Sequence, residues 1–268
     1  MRWSRELEVL IHAVRAGGTK ALRMAAEGFE TVRKADRSPV TSADLAVNQI
    51  LQARLQSAFP ADGWLSEESP DGPDRLQKAR VWVVDPIDGT KAFINGEAEF
   101  CISVALIEEG SPIVAAIFNP SVDELYTATR GGGLYLNAKP ITPPSLQDEQ
   151  PPIVAMSPWE RENWRFPCLD GMATSRPMRS IAWGLALTAG GHIQGLATLE
   201  PENEWDVAAG ALLIEESGGQ IYDGSGRPLA FNQTAPRYQG TIAASATCPD
   251  VLRQNLMLLT RVGGKTGE

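Results

Sequence analysis

The sequence predicts an α/β protein with mixed sheets arranged in two halves, and three observations lead there. Apolar residues recur at helical spacing over residues 4–27 and 42–59. Residues 100–137 form four short apolar segments separated by turn residues, the pattern of an antiparallel meander. Beyond residue 152 extended and helical patterns alternate. At 268 residues the chain has room for one large domain or two packed halves.

In chain order, the first helix places Leu7, Leu10, Ile11 and Val14 on one stripe, with Ser4 as its expected cap. Gly17-Gly18 marks either a weak point or a close packing contact. A polar loop, residues 34–39, leads to a second helix that buries Ile50, Leu51, Leu55 and Phe59 and stops at Pro60-Ala-Asp-Gly63. Val81-Trp-Val-Val84 is a continuous apolar run, as expected of a strand buried on both faces. The meander follows over 100–107, 112–118, 124–129 and 134–137. Five prolines in residues 140–152 make the best linker, dividing the chain into halves at 1–140 and 150–268. The second half predicts a strand at 153–156, a helix at 180–189, a strand at 193–199, a helix at 207–217, strands at 219–222 and 241–245, and a last helix at 249–261.

Composition removes several function classes. A net charge of −9 argues against a protein that grips a nucleic acid polymer, which needs clustered positive charge. The longest apolar stretches are too short to cross a bilayer, and no secretory signal is apparent, so a cytoplasmic location is expected. Cys101, Cys168 and Cys248 lie far apart and give neither a disulfide framework nor a zinc pattern. His12 and His192 are equally isolated, and all five residues are expected to be buried and structural.

The segment that carries chemistry is Asp85-Pro-Ile-Asp-Gly-Thr90, directly after the buried strand. Two carboxylates three residues apart at a strand end can aim their oxygens into one small volume, which suits a hard divalent cation. A solvated Asx turn is the commoner fate of such a segment in isolation. Other acidic groups accompany it: Ser66-Glu67-Glu68-Ser69 after the second helix, Asp44 in a Thr41-x-x-Asp44 capping pattern, and Trp205-Asp206 at the start of an Ala/Gly-rich helix.

Taken together, Lys34-Ala-Asp-Arg-Ser-Pro-Val-Thr-Ser-Ala-Asp44, Ser66-Glu-Glu-Ser69, Trp82-Val-Val-Asp-Pro-Ile-Asp-Gly-Thr-Lys91 and Glu204-Trp-Asp-Val-Ala-Ala-Gly210 resemble the inositol monophosphatase superfamily. The Lys34–Asp44 stretch and Asp88-Gly-Thr-Lys-Ala-Phe93 are most similar to the CysQ-type 3′(2′),5′-bisphosphate nucleotidases, and the latter also resembles bacterial histidinol-phosphate phosphatases. The resemblance implies an αβαβα sandwich whose N-terminal half carries most metal ligands and whose C-terminal half closes the site. It implies a lithium-sensitive phosphate monoester hydrolase with two or three Mg²⁺ ions, acting by a metal-activated water. Glu67, Asp85, Asp88, Asp206 and the Ile87 carbonyl would ligate metal. Asp44, Thr90 and Glu67 would form the catalytic set, and Gly89 and Thr90 would contact the phosphate. Such a carboxylate cluster repels itself, at about 4 kcal/mol per pair 4 Å apart in an effective dielectric of 20, and needs cations to be viable. The small phosphorylated substrate is expected to be 3′-phosphoadenosine 5′-phosphate, ahead of inositol 1-phosphate and histidinol phosphate. A regulatory binding protein with a structural ion site is the non-enzymatic alternative, and a homodimer is a family habit. Near the expected leaving-group pocket, Trp183 offers an aromatic face for a base and Gln194 removes a charge; Glu200 is the expected contact to substrate hydroxyls, in competition with Glu202 and Glu204.

Overall fold

Val81 and Val83 face one side of a nine-residue strand, Trp82 and Val84 the other, and all four are buried. A strand with two apolar faces must lie between two covering layers, and the computed structural model has that arrangement. It describes residues 2–35, 37–144, 151–163, 166 and 169–262.

The elements run α1 (Ser4–Glu27), β1 (Thr31–Arg33), β2 (Pro39–Thr41), α2 (Ser42–Ala58), β3 (Gly63–Ser66), a 3₁₀ turn (Pro73–Gln77), β4 (Arg80–Asp88), α3 (Thr90–Ile94), β5 (Cys101–Glu108), β6 (Ser111–Asn119), β7 (Glu124–Thr129), β8 (Gly133–Leu136) and β9 (Lys139–Pro140). They continue with β10 (Ile153–Met156), α4 (Pro158–Glu162), β11 (Thr174–Pro177), α5 (Ile181–Ala189), β12 (Gly195–Asn203), α6 (Glu204–Glu216), β13 (Gln220–Asp223), β14 (Arg237–Ala244) and α7 (Asp250–Val262). Strands β3 to β9 form a seven-stranded sheet in sequence order, parallel only at β3–β4. A five-stranded sheet has the order β11-β10-β12-β14-β13, with β10 parallel to both neighbours.

Three apolar cores stack these elements into five layers. Leu10 and Val14 of α1 and Val47 and Leu51 of α2 pack on the Trp82–Val84 face of the large sheet. Leu185 of α5 and Leu212 of α6 pack on its Val81–Val83 face and, from their far side, against Leu196 and Ala243 of the second sheet. Leu252 and Leu256 of α7 cover the outer face of that sheet through Val154 and Ile242. The order helix–sheet–helix–sheet–helix is the αβαβα sandwich the resemblance implies.

Local differences from the sequence expectation have physical causes. Ser4 does not cap α1; Trp3 holds the N-cap position in the left-handed region, with no side-chain cap bond. Gly17-Gly18 is a packing contact: a Cβ at Gly18 would run into the Phe118 ring, and one at Gly17 would lie 3.0 Å from Ile102 Cδ1. Helix α6 starts at Glu204 rather than near Val207, and β12 runs on to Asn203 because it pairs with β14 past an irregularity between Thr198 and Pro201. The short strands β1, β2, β3, β9 and β11 and helix α4 carry too few residues to show a period. His12 and His192 are exposed, not buried, His12 on α1 and His192 in the turn between α5 and β12. Cys101 and Cys248 are buried free thiols, while Cys168 and residues 145–150 of the proline-rich stretch lie outside the described residues. No described helix is long and apolar enough to cross a membrane.

Candidate metal centre and active site

The end of β4 sets the geometry. In a regular strand, residues three apart face opposite sides. Here Asp85 pairs with Ser103 and Asp88 with Cys101 on β5, so three residues on one strand span two on the other. The bulge returns both carboxylates to one face, and Pro86, which has no N–H to donate, is tolerated at such a position. Gly89 turns the chain out of the strand with φ +90°, and a Cβ there would meet the Glu99 carbonyl at 2.8 Å.

Asp206 arrives from the other half of the chain. It is the third residue of α6, and its Oδ2 accepts the Asn203 N–H at 2.8 Å, closing a capping box. The start of α6 is tied to the large sheet by Ser103 Oγ, which donates to the Trp205 carbonyl at 3.1 Å. One carboxylate oxygen each of Asp85, Asp88 and Asp206 then lie within 4.8 Å of one another. Backbone and side-chain donors fix their orientation: Asp85 Oδ1 accepts the Ile87 N–H at 3.0 Å. Asp88 Oδ2 accepts the Ser180 hydroxyl and the Ala182 N–H, both at 2.6 Å.

Asp44 and Thr90 sit beside this triad. Asp44 is a true capping-box residue, with Oδ2 accepting the Thr41 N–H at 2.8 Å, and its other oxygen lies 3.2 Å from the Thr90 hydroxyl. The same hydroxyl lies 3.1 Å from the Ile87 carbonyl, so its single proton is shared between two acceptors. The Asp44 motif therefore serves as a cap and as a site residue at once. Glu67 is anchored by its own N–H to the Val84 carbonyl at 3.2 Å, and its carboxylate accepts from Lys34 Nζ at 2.8 Å. Lys34 also reaches Glu68, at 2.5 Å.

The electrostatics follow. Burial raises Asp85 and Asp206 well above the usual carboxylate range, and the charges of Glu67 and Asp88 add to both, with Asp206 adding to Asp85. Burial pushes Asp88 up to about 7 against the downward pull of Ser180 and Ala182. Asp44 is raised by burial despite its bonds to Thr41. Burial would lower Lys34, but Glu67 and Glu68 outweigh it and hold the ammonium charged. Lys34 is bound to Glu67 and Glu68, and no described lysine or arginine pairs with the converging Asp85, Asp88 and Asp206. Buried oxygen donors with this surplus of negative charge are a matched set for hard divalent cations.

The structure places the remaining residues named for the substrate pocket as follows. Trp183 is 5% exposed and lies edge-on to Tyr126 at 5.8 Å between α5 and the large sheet, so its ring is core and offers no face to a base. Gln194 is buried and accepts the Ile153 N–H at 2.8 Å, a tie into the second sheet. Glu200 is exposed, because β12 is irregular where it sits. Glu204 is buried and accepts the N–H groups of Asn232 and Gln233, both at 2.7 Å, which makes it a loop anchor. Glu202 is half-buried and accepts from the Thr198 hydroxyl at 3.4 Å, and burial and then the Asp206 and Asp88 charges drive its carboxyl up. Sequence reasoning also missed Ser180 as a partner of Asp88, although its Ser-x-x-Trp183 spacing is a helix cap and the cap bond is present.

Comparison with known proteins agrees with this geometry. The family model described as "Inositol monophosphatase family" matches residues 3–256. The chain is 33% identical over 206 residues to the 3′(2′),5′-bisphosphate nucleotidase CysQ of Escherichia coli strain K12, covering 76% of this chain and 83% of the relative. It is 33% identical over 237 residues to the inositol-1-monophosphatase of Rhizobium meliloti strain 1021, covering 83% and 88%. The crystal structure of the extragenic suppressor protein suhB from Bartonella henselae superposes with a TM-score of 0.81 at 26% identity, over 99% of this chain and all of that one.

Proposed function

The chain belongs to the inositol monophosphatase family and is a metal-dependent phosphatase, and from that premise we propose that it hydrolyses a 3′(2′),5′-bisphosphate nucleotide, with 3′-phosphoadenosine 5′-phosphate as the leading substrate. The observation that carries this reading is the pairing of the Asp85–Asp88–Asp206 triad with the Lys34–Asp44 and Asp88–Phe93 segments, whose residues resemble those of CysQ-type enzymes.

Asp85, Asp88, Asp206, Glu67 and the Ile87 carbonyl would hold Mg²⁺. Bound there, the cations supply Lewis acidity toward phosphoryl oxygens and lower the pKa of coordinated water. The chain's own groups do the rest. The Gly89 and Thr90 N–H groups would bind phosphoryl oxygens at the start of α3, where Gly89 turns the chain with φ +90°. Thr90 Oγ1, in contact with Asp44 Oδ1 at 3.2 Å, can take a proton from the attacking water while passing its own to Asp44. Thr41 holds Asp44 in position through two donors. Glu202 is placed to accept from a substrate hydroxyl and takes the role expected of Glu200. The free thiols Cys101 and Cys248 support a reducing, cytoplasmic setting.

Inositol 1-phosphate is the second reading, favoured by the equal identity to the Rhizobium meliloti inositol-1-monophosphatase. Release of inorganic phosphate with Mg²⁺ separates the two. The bisphosphate should be preferred by at least tenfold in kcat/KM, or ~1.4 kcal/mol of transition-state discrimination. Equal or better turnover of inositol 1-phosphate would overturn the nucleotide reading. Li⁺ in the millimolar range should inhibit where Na⁺ and K⁺ have less effect, and indifference to Li⁺ would count against Mg²⁺ held in this centre.

A further inference from the structure

Beside the carboxylate centre lies a cavity of about 600 Å³ of opposite character. Its lining includes Arg33, Arg37, Ser38, Lys91, Asn95 and Arg179, and no carboxylate lines it among the described residues. Four cationic side chains around one cavity are unexpected in a protein of net charge −9. Arg179 is partly offset by Glu97 at 3.0 Å, whereas the Arg33 guanidinium donates to a neutral acceptor, the Arg37 carbonyl, at 3.2 Å. A lining whose charges are all of one sign favours an anion there. The volume suits a small organic ligand or part of one.

The cavity lining adjoins residues of the active site along the chain at three places. Lys91 directly follows Thr90, whose hydroxyl contacts Asp44. Arg179 directly precedes Ser180, whose hydroxyl donates to Asp88. The β1–β2 hairpin joins both regions: Arg33 and Arg37 line the cavity, while Lys34 between them reaches Glu67 and Glu68. That hairpin is held by the Lys34 N–H to the Ser38 carbonyl and the Arg37 N–H to the Lys34 carbonyl, both at 2.9 Å, with Arg37 in the left-handed region. Its turn therefore presents one cation to the carboxylates and two to the cavity.

We propose that this basic cavity is the subsite for the second phosphate of the substrate, the one that is not cleaved. The inference rests on the bisphosphate reading above. It assigns selectivity to electrostatics: a guanidinium pair matches a phosphate in bidentate geometry, and a substrate with a single phosphate leaves the cavity unpaired. Arg33 and Arg37 are then binding residues for the remote phosphate and take no part in the chemical step.

The test compares 3′-phosphoadenosine 5′-phosphate with adenosine 3′-phosphate, which presents the same scissile ester without the second phosphate. In the unmodified enzyme the bisphosphate should be preferred. In Arg33→Gln/Arg37→Gln, kcat/KM for the bisphosphate should fall at least tenfold, chiefly through KM, and that for adenosine 3′-phosphate by less than twofold. Arg33→Lys/Arg37→Lys keeps the charge and should recover much of the preference. The preference of the unmodified enzyme should also shrink as salt rises, because the contacts are exposed to screening. A preference that survives in the Gln variant overturns the subsite while the bisphosphate reading stands. No preference in the unmodified enzyme overturns both. Equal losses on the two substrates would mark the arginines as structural and also overturn the subsite.

Discussion

Strand β4 carries a buried acidic region at each end, and the two are built in opposite ways. At its start, Asp62 is clamped by Arg80 through two bonds of 3.0 Å and by Trp82 Nε1 at 3.1 Å, and Arg80 also reaches Glu6 at 2.8 Å. At its end, Asp85 and Asp88 meet Asp206 within 4.8 Å, and no described arginine or lysine pairs with any of the three. The Asp62 region is complete when the chain folds. The triad is not, because burying several carboxylates together without a counter-charge is strongly unfavourable. The difference teaches that one region is there to hold the fold and that the other depends on charge supplied from outside.

The largest expected effect comes from Asp88→Asn. The amide keeps the shape and can still accept from Ser180, but it removes the charge a cation needs. Turnover should fall by at least about 1,000-fold, equivalent to about 4 kcal/mol of barrier, with the circular dichroism spectrum unchanged. Near-normal turnover with Mg²⁺ present would break the contrast at its centre.

Next, Trp183→Ala should cost about 3 kcal/mol of stability by leaving a cavity against Tyr126. It should leave the ratio of kcat/KM values for bisphosphate and monophosphate substrates within twofold. A changed ratio would return the ring to the substrate pocket.

The two ends of β4 should then answer to mutation with opposite sign. Asp62→Asn should lower stability by about 2 kcal/mol in denaturant titration, because it leaves the part-buried Arg80 underpaired. Asp85→Asn, in protein stripped of divalent ions, should raise the Tm by relieving like-charge repulsion. A fall in Tm for the stripped Asp85→Asn protein would show that the triad stabilises the fold by itself.

Sequence reasoning reached the triad because each carboxylate stands in a short local pattern, a strand end or a helix start, that survives without knowledge of the fold. The bulge that aligns Asp85 with Asp88 had a sign in Pro86, a residue that does not fit a regular inner strand. Trp183 was misplaced for a physical reason. Helix α5 is buried on both sides, between two sheets, so it has no polar stripe from which the direction of a side chain could be inferred. Glu200, Glu202 and Glu204 share one face only in an unbroken strand. The irregularity after Thr198 and the start of α6 at Glu204 send the three in different directions. The layer order was likewise out of reach of local patterns, since α5 and α6 are fixed by contacts between distant segments.

The smallest expected effect separates these glutamates. Glu202→Gln should lower kcat/KM about fivefold, roughly 1 kcal/mol, whereas the exposed Glu200→Gln should change it by less than twofold. A larger loss at Glu200 would reverse the assignment.

The claim that the triad is incomplete without cations is tested most directly by phosphate release from chelator-stripped enzyme titrated with Mg²⁺. No release is expected before addition, and a saturable rise to full activity is expected with Mg²⁺. Undiminished phosphate release in the presence of the chelator would contradict it.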